Sequence, residues 1–494
     1  MSTISLSLIS HTNAGKTTLA RTLLGRDVGT VRDAQHVTQE ASSYPLVESA
    51  EGDVLELWDT PGFGDSARLA RRLAQQSNPV GWFLTQVWDR FRDRALFLAQ
   101  LAVRNVREQA DVVLYLVNAS EPPEDAGYLA SELAILEWMG KPVIVLINQT
   151  GPLRPRVEEE AEETRWRTAL RAEKAIRAVT TLDAFARCWV QEIALFDLVF
   201  EVLPEALRPV QQRLVATWQT RRRQQFDDAV AALATPIAFA SCDREALPEV
   251  DGGVLRTLGR SLGIGKNEAE RAKTRASRAL AARLDGALSE STDRLIALYG
   301  LDGRAKSDVL ARLTAGVAVD APMNEGKAAM MGGVVSGALS GLAADLAAGG
   351  LTFGAGMLTG AVLGALGGVG IARGMNLARG KSGSTLRWDD NFLSSLVGAA
   401  LLRYLAVAHY GRGRGNWAET EYPPFWPPLI AEILERQRDR LAHVWSHREP
   451  TCEGEIIARA LRGVLSDSAR EALEALYPGA LVPRTTPPTV ASNP

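Results

Sequence analysis

The chain has 494 residues, 46% of them apolar and 23% charged, enough to fill more than one core and divide into two to four domains, which excludes a disordered chain. A formal net charge of −3 argues against a broad electrostatic footprint for nucleic acid. Three cysteines, Cys188, Cys242 and Cys452, lie far apart with no CxxC pair, which fits a reducing compartment and offers neither a disulfide framework nor a zinc site.

The first predicted element is a strand. "MSTISLSLIS" lacks the basic start, long apolar core and cleavage site of a signal peptide, and Ile4, Leu6 and Leu8 alternate with Ser5 and Ser7. "SHTNAGKTTLARTLLG" then turns into an amphipathic helix, so that a loop of Ser10, His11, Thr12, Asn13, Ala14, Gly15, Lys16 and Thr17, with Thr18 behind it, joins strand to helix. That order is the one a phosphate loop needs. Backbone N–H groups converge on phosphate oxygens at a helix N-terminus, Lys16 reaches the β and γ oxygens, and Thr17 holds Mg²⁺. Ser10 replaces the first Gly of G-x-x-x-x-G-K-[ST], which is tolerable where its φ/ψ is unstrained.

A second element agrees with the first. "VLELWDTPGFGD" places an apolar strand before Asp59-Thr60-Pro61-Gly62, 43 residues after Lys16. Asp59 can hold the Mg²⁺ shell through water, and the Gly62 N–H can sense a γ-phosphate and move when it leaves. Two further strands, "DVVLYLVNA" at 111–119 and "KPVIVLIN" at 141–148, flank the helix "YLASELAILEWMG". Their near-continuous apolar runs suit a parallel sheet covered on both faces.

"HTNAGKTTL" followed by "DTPGFGD" resembles the Era and MnmE branch of the translation-factor-class GTPases. "ELAILEWMGKPVIVLIN" and "LLRYLAVAHYGRGRGNW" are similar to bacterial Era-like GTPases with an uncharacterised C-terminal domain. The resemblance implies a Ras/Era-like G domain, an α/β P-loop NTPase fold that binds and hydrolyses GTP. It assigns the phosphate loop to residues 10–17 and the second switch to Asp59 and Gly62. For the first switch, Thr30 and Thr38 are both available to close over Mg²⁺; Thr38 is favoured because "ASSYPLV" after it can begin a strand. Phe63 falls where Ras-like GTPases place a water-orienting Gln, so catalysis must draw on other groups. Asn13 matches the Asn of the Era and MnmE loop, which implies a carbonyl oxygen able to hold K⁺ against the developing charge. On this likeness Asn13, Lys16, Thr38 and Gly62 are the catalytic set, and hydrolysis is K⁺-stimulated and needs a homodimer or a partner.

Base selection is the weak point of the likeness. Related GTPases carry Asn-Lys-x-Asp, whose carboxylate accepts from guanine N1 and N2. Here Asn148 is kept, Gln149 replaces the Lys and Gly151 replaces the Asp. Each lost bond to a charged group is worth roughly 1.5–3 kcal/mol, so GTP, ATP and relaxed specificity all stay open.

Residues 66–109 form an insertion with a helical pattern around "NPVGWFLTQVWDRFRDRALFL". "RVEEEAEETRWRTALRAEKAIRAV", from 156 to 179, reads as one charged helix, Trp189–Phe196 as the last strand, and no Ser-Ala-Lys base-binding loop is legible between them. The G domain therefore ends near 205, and residues 206–325 read as helical.

Residues 326–374 hold 15 of the 43 glycines, and Asp345 is the only charge between Lys327 and Arg373. Glycines at every fourth position suggest a Gly-zipper hairpin whose two helices, roughly 28 and 31 Å long, approach the bilayer thickness. Lys327, Arg373, Arg379 and Lys381 would keep both ends cytoplasmic, which suggests a protein held at the inner face of the cell membrane with lipid as a partner. Residues 375–480 resume helices around Arg412 and Arg414, which could grip a phosphate; His443 and His447 share a helical face without the carboxylate a zinc motif needs. Residues 481–494 read as a disordered tail. The competing reading is a membrane-assembling or structural protein with a vestigial nucleotide site. Nucleic-acid binding ranks third, because no KH domain or basic tail is visible.

Overall fold

The computed structural model describes residues 1–11, 14–26, 28, 42–75, 94–151, 153–247, 264–301, 375–380, 383–410, 423–448, 452–479 and 481. Two compact units emerge, one built on residues 1–224 with segments beginning at Ala408 and Leu473, the other on residues 225–407 and 418–472.

The first unit begins with β1 (Thr3–Ser10), α1 (Lys16–Leu24), β2 (Ser42–Glu48), β3 (Val54–Asp59), α2 (Ser66–Gln75) and α3 (Arg94–Gln109). It continues with β4 (Val112–Asn118), α4 (Leu129–Met139), β5 (Val143–Asn148), α5 (Arg156–Leu170), β6 (Ile176–Thr181) and α6 (Trp189–Val202). The strands form one sheet in the order β2-β3-β1-β4-β5-β6. Only the edge strand β2 is antiparallel to its neighbour. Alternate residues of β4 and β5 enter two different cores: Val113, Tyr115, Val117, Val145 and Ile147 pack on one side, Val112, Leu114, Leu116, Ile144 and Leu146 on the other. The sheet is therefore buried on both faces, as unbroken apolar strands require. The serines of β1 are not a solvent face: Ser7 is fully buried and its hydroxyl donates to Asn105 Oδ1 at 2.9 Å.

Two element assignments after β5 are corrected. The charged helix stops at Leu170, and Ile176–Thr181 is the sixth strand, paired in parallel with β5; the β-branched Ile176, Val179, Thr180 and Thr181 suit a pleated strand better than a helix. The run Trp189–Phe196, expected as the last strand, opens α6. A capping box between Cys188 and Gln191 starts this helix, and Leu195, Phe196 and Val199 bury one of its faces.

The remaining described elements are α7 (Arg208–Cys242), β7 (Arg244–Ala246), α8 (Ile264–Leu298), β8 (Met375–Gly380), β9 (Gly383–Trp388), α9 (Asp390–Ala408), α10 (Trp426–Arg436), α11 (Arg438–Ser446) and α12 (Gly454–Leu476). The region is mainly helical, with one addition the periodicity did not announce: an antiparallel sheet in the order β7-β9-β8. Arg448 is buried among these elements, and its guanidinium donates to the Ser241 and Trp388 carbonyls and pairs with Asp390. The reading of the cysteines as unpaired is also corrected. Cys242, at the end of α7, is disulfide-bonded to Cys452, 210 residues away, a pairing that no spacing rule could announce. Cys188 is a free, buried thiol, and burial pushes its pKa up to about 12.

Among the described residues one helix, α9, is long and apolar enough to cross a membrane, and 72% of that stretch is buried in the fold. Residues 326–374, the insertion core at 76–93, Arg412, Arg414 and the tail from 482 lie outside the described residues.

Candidate nucleotide site

Parallel pairing sets Leu8 of β1 beside Asp59 of β3, and Ser10 beside Leu116 of β4. The carboxyl ends of three strands thus meet where α1 begins, the crevice in which an open α/β sheet binds ligands. Gly15 is the N-cap of α1 with φ 88°, a left-handed conformation that favours glycine. Space demands glycine as well, because a Cβ there would stand 2.7 Å from Asn148 Nδ2.

Lys16 is only 7% exposed, and its Nζ donates to Ser10 Oγ at 2.9 Å. Ser10 therefore ends the strand, and among the described non-glycine residues only Gln149 has a left-handed φ, so Ser10 is unstrained. Thr17 Oγ1 donates to Asp59 Oδ2 at 2.6 Å, while Asp59 Oδ1 is buried without a hydrogen-bond partner. Burial is the main force on both charges: it holds the Lys16 ammonium below its usual range against the pull of Asp59 and Glu132, and raises the Asp59 carboxyl against its bond to Thr17. A hydroxyl beside a carboxylate with an unsatisfied oxygen is a donor set suited to a hard cation such as Mg²⁺. Thr17 and Asp59 would hold that ion, which supplies positive charge against phosphate oxygens.

Thr60 Oγ1 donates to the Leu8 carbonyl at 2.6 Å and the Phe63 N–H to the Ser10 carbonyl at 3.3 Å, which fixes both sides of Gly62 to β1. Phe63 is fully buried with Ile9, Leu69 and Val117, so its ring is a packing group and does not reach water. Ala14 and Thr18 are also buried. Thr12, Asn13, Thr30 and Thr38 lie outside the described residues.

Behind the loop stands a cluster that the sequence did not reveal, with Glu132 and Tyr115 buried and His11 and Tyr128 half-buried. His11 Nδ1 lies 2.8 Å from Glu132 Oε1, Tyr115 donates its hydroxyl to Glu132 Oε2 at 2.7 Å, and the His11 ring stacks on Tyr128 with centroids 4.1 Å apart. Burial, then the neighbouring Glu132, raise the Tyr115 pKa well above its usual value, which keeps the phenol a donor.

At the other end of the crevice, Asn148 is a fully buried bracket. Its Nδ2 donates to the Ala14 carbonyl at 2.8 Å and its Oδ1 accepts the Ala184 N–H at 2.8 Å. Gln149 takes φ 59°, and its Nε2 lies 3.6 Å from the position a Cβ would occupy on Gly15, so both residues lean over the phosphate loop. The loop after β6, Leu182 to Phe185, now stands where no base-binding loop was legible. Its Asp183 accepts the Thr150 N–H at 2.6 Å, the Thr150 hydroxyl at 2.8 Å and the Phe185 N–H at 2.6 Å.

A family described as 50S ribosome-binding GTPase matches residues 5–149, which cover the phosphate loop, Asp59 and Asn148. Similar solved structures include Era from Aquifex aeolicus bound to GDP and AlF4, with 20% identity over 42% of this chain and 58% of that one, TM-score 0.30. Era in complex with MgGDPNP and 16S ribosomal RNA is similar over the same shares at 19% identity and TM-score 0.31. Toc33 from Arabidopsis thaliana is 14% identical over 38% of this chain and 73% of that one, TM-score 0.25. The chain spans 58% of the length of either Era structure. No curated protein matches it. The family described as a domain of unknown function, DUF3482, matches residues 167–451; that is more than half of the molecule, and the chain therefore belongs to the DUF3482 family, with a P-loop GTPase domain at its amino-terminal end.

Proposed function

We propose that this protein is a GTP-binding and GTP-hydrolysing switch whose nucleotide state governs association with a membrane. The observation that carries the reading is the pair of buried contacts at one strand end: Lys16 on Ser10, and Thr17 on an Asp59 that keeps one oxygen unsatisfied. A phosphate chain favours the charged form of Lys16, and a divalent cation favours that of Asp59, so the nucleotide relieves the desolvation that both groups carry. Gly62, tethered on both sides, is the backbone donor that responds to the γ-phosphate.

Because Phe63 is buried, hydrolysis is assigned to Lys16 and the Gly62 N–H together with Asn13 and Thr38, with K⁺ at Asn13 adding fixed charge beside the phosphates. A homodimer or a partner would complete that site. Membrane association is assigned to residues 326–374, whose Gly/Ala composition makes insertion marginal and so open to control, and on this reading the protein would work at the cytoplasmic face of a membrane. An ATPase of relaxed base specificity is the second reading, favoured by the Gly at 151.

The test is competition of unlabelled GTP and ATP against labelled GTP at matched Mg²⁺ and K⁺, with turnover in K⁺ and in Na⁺ and flotation on liposomes in each nucleotide state. GTP-selective binding, faster turnover in K⁺ and nucleotide-dependent flotation are the expected results. Equal rates in the two salts remove the K⁺ step. Indifference to liposomes removes the membrane step, and absence of binding makes the site vestigial and leaves a structural protein.

A further inference from the structure

We propose that the carboxylate that reads guanine has moved from position 151 to Asp183, on the facing loop; this rests on the GTP-binding reading above. Guanine presents N1–H and N2–H donors on one edge, and their partner must be an acceptor. Gly151 has no side chain, and among the described residues, its chain neighbours aside, the group within 4 Å of where its Cβ would stand is Arg154 Nη2 at 3.9 Å. A guanidinium only donates, so Arg154 cannot take the role. It donates instead to the Thr150 carbonyl at 2.7 Å.

Asp183 lies one peptide unit from the missing acid, because its Oδ2 accepts the N–H of Thr150, the residue before Gly151. It also belongs to the base-side bracket, because the next residue, Ala184, donates to Asn148, whose amide holds the phosphate loop at Ala14. The loops around a nucleotide, 14–17, 148–151 and 182–185, are therefore tied into one network with Asp183 beside the vacated position. A carboxylate offers about four acceptor sites. Two donors reach Oδ2 and one, Phe185 N–H, reaches Oδ1, so Oδ1 keeps a lone pair, and the Thr150 hydroxyl can turn to accept as well. Asp183 is 3% exposed. The base would meet the edge of an acid already oriented by three donors, and burial strengthens the bonds that edge makes. Adenine presents a lone pair at N1 and a C–H at C2, and a carboxylate rejects both.

The experiment measures equilibrium binding of GTP, inosine triphosphate, xanthosine triphosphate and ATP to the full chain and to Asp183→Asn, with thermal melting as a check on folding. The wild type should hold GTP at least tenfold over inosine triphosphate, which lacks the N2 amine, and more strongly still over the other two. Asp183→Asn should lose at least tenfold in GTP affinity and come to prefer xanthosine triphosphate, whose C2 carbonyl matches the new amide donor. A residue that only ties loops together would weaken all four nucleotides alike, so a variant with the wild-type order of preference overturns the proposal. Should the variant not fold, the wild type still decides: equal affinity for GTP and inosine triphosphate means that no acceptor reads the N2 amine, which overturns it too. Equal GTP and ATP binding overturns the proposal while leaving a nucleotide switch in place, whereas no binding at all overturns the switch reading and this one with it.

Discussion

The two ends of the nucleotide crevice handle charge in opposite ways. At the phosphate end, charges of opposite sign are buried together: Lys16 stands near Asp59 and Glu132, and burial shifts the lysine and Asp59 toward their neutral forms. At the base end, acids gather. Burial, then Glu163, raise the Glu159 carboxyl to about 7 against the pull of Arg156 and Arg154, with Asp183 adding less, while Glu163 Oε1 accepts the Thr181 N–H at 2.6 Å. On the two proposals above, the first end would take a polyanion and a dication, and the second a ligand edge that donates hydrogen bonds. The difference teaches that phosphate chemistry ties particular residue types to particular positions, whereas an acceptor for a base can come from whichever loop reaches it.

Lys16→Ala should break the comparison at its strongest point. We expect at least a hundredfold loss of GTP affinity by calorimetry. The melting temperature should stay level or rise, because a desolvated ammonium is removed from a buried site. A variant that binds normally would show that the phosphate end is not the ligand's anchor. Asp59→Asn comes next. It should lower affinity by about tenfold or more in Mg²⁺ and leave affinity in EDTA nearly unchanged, because what it loses is the cation's carboxylate. Equal losses in both conditions would assign Asp59 to loop structure alone.

The phosphate end was legible in the sequence because its residues are close in the chain and constrained by type. Gly15, Lys16 and Thr17 are contiguous, and Asp59 ends a strand whose apolar alternation is plain. The base end was not. Asp183 meets Thr150 across 33 residues, and its loop lacks the Ser-Ala-Lys residues that would have marked it. A still longer separation hid the His11, Glu132 and Tyr115 cluster, whose first bond spans 121 residues. The sixth strand was missed for a different reason. Ile176–Thr181 follows the charged helix with no Gly or Pro between them, so the helical pattern reads straight through it, while the apolar run Trp189–Phe196 has the composition of a strand and the Cys188 and Gln191 cap marks it as a helix.

Asn148→Ala should sharpen the comparison by cutting the bracket between the two ends. It deletes bonds to Ala14 and Ala184 and leaves a buried carbonyl and a buried N–H unpaired, which costs about 1–3 kcal/mol per group in stability by denaturant titration. Binding of GTP and ATP should weaken together, because the bracket positions both loops without itself choosing the base. A loss confined to GTP would make Asn148 a reader and weaken the case for Asp183.

The smallest expected effect tests the acid cluster itself through Glu159→Gln. The folded pKa of Glu159, about 7, lies above the ordinary value of a glutamate in an unfolded chain, about 4.3. The folded state therefore binds the proton more tightly than the unfolded state does. This residue's contribution to stability is fully present below the ordinary value and is lost as pH rises through the folded one. Unfolding free energy should then fall between about pH 4.3 and 7 and level off above, and Glu159→Gln, which stays neutral, should remove that part of the slope. At pH 8 the variant should be more stable than the wild type by an amount of order 1 kcal/mol, since partial exposure lets solvent screen some of the repulsion. The gain should vanish near pH 4. A variant with the wild-type slope would mean that Glu159 ionises normally, and that the base end carries less acid strain than its crowding of carboxylates implies.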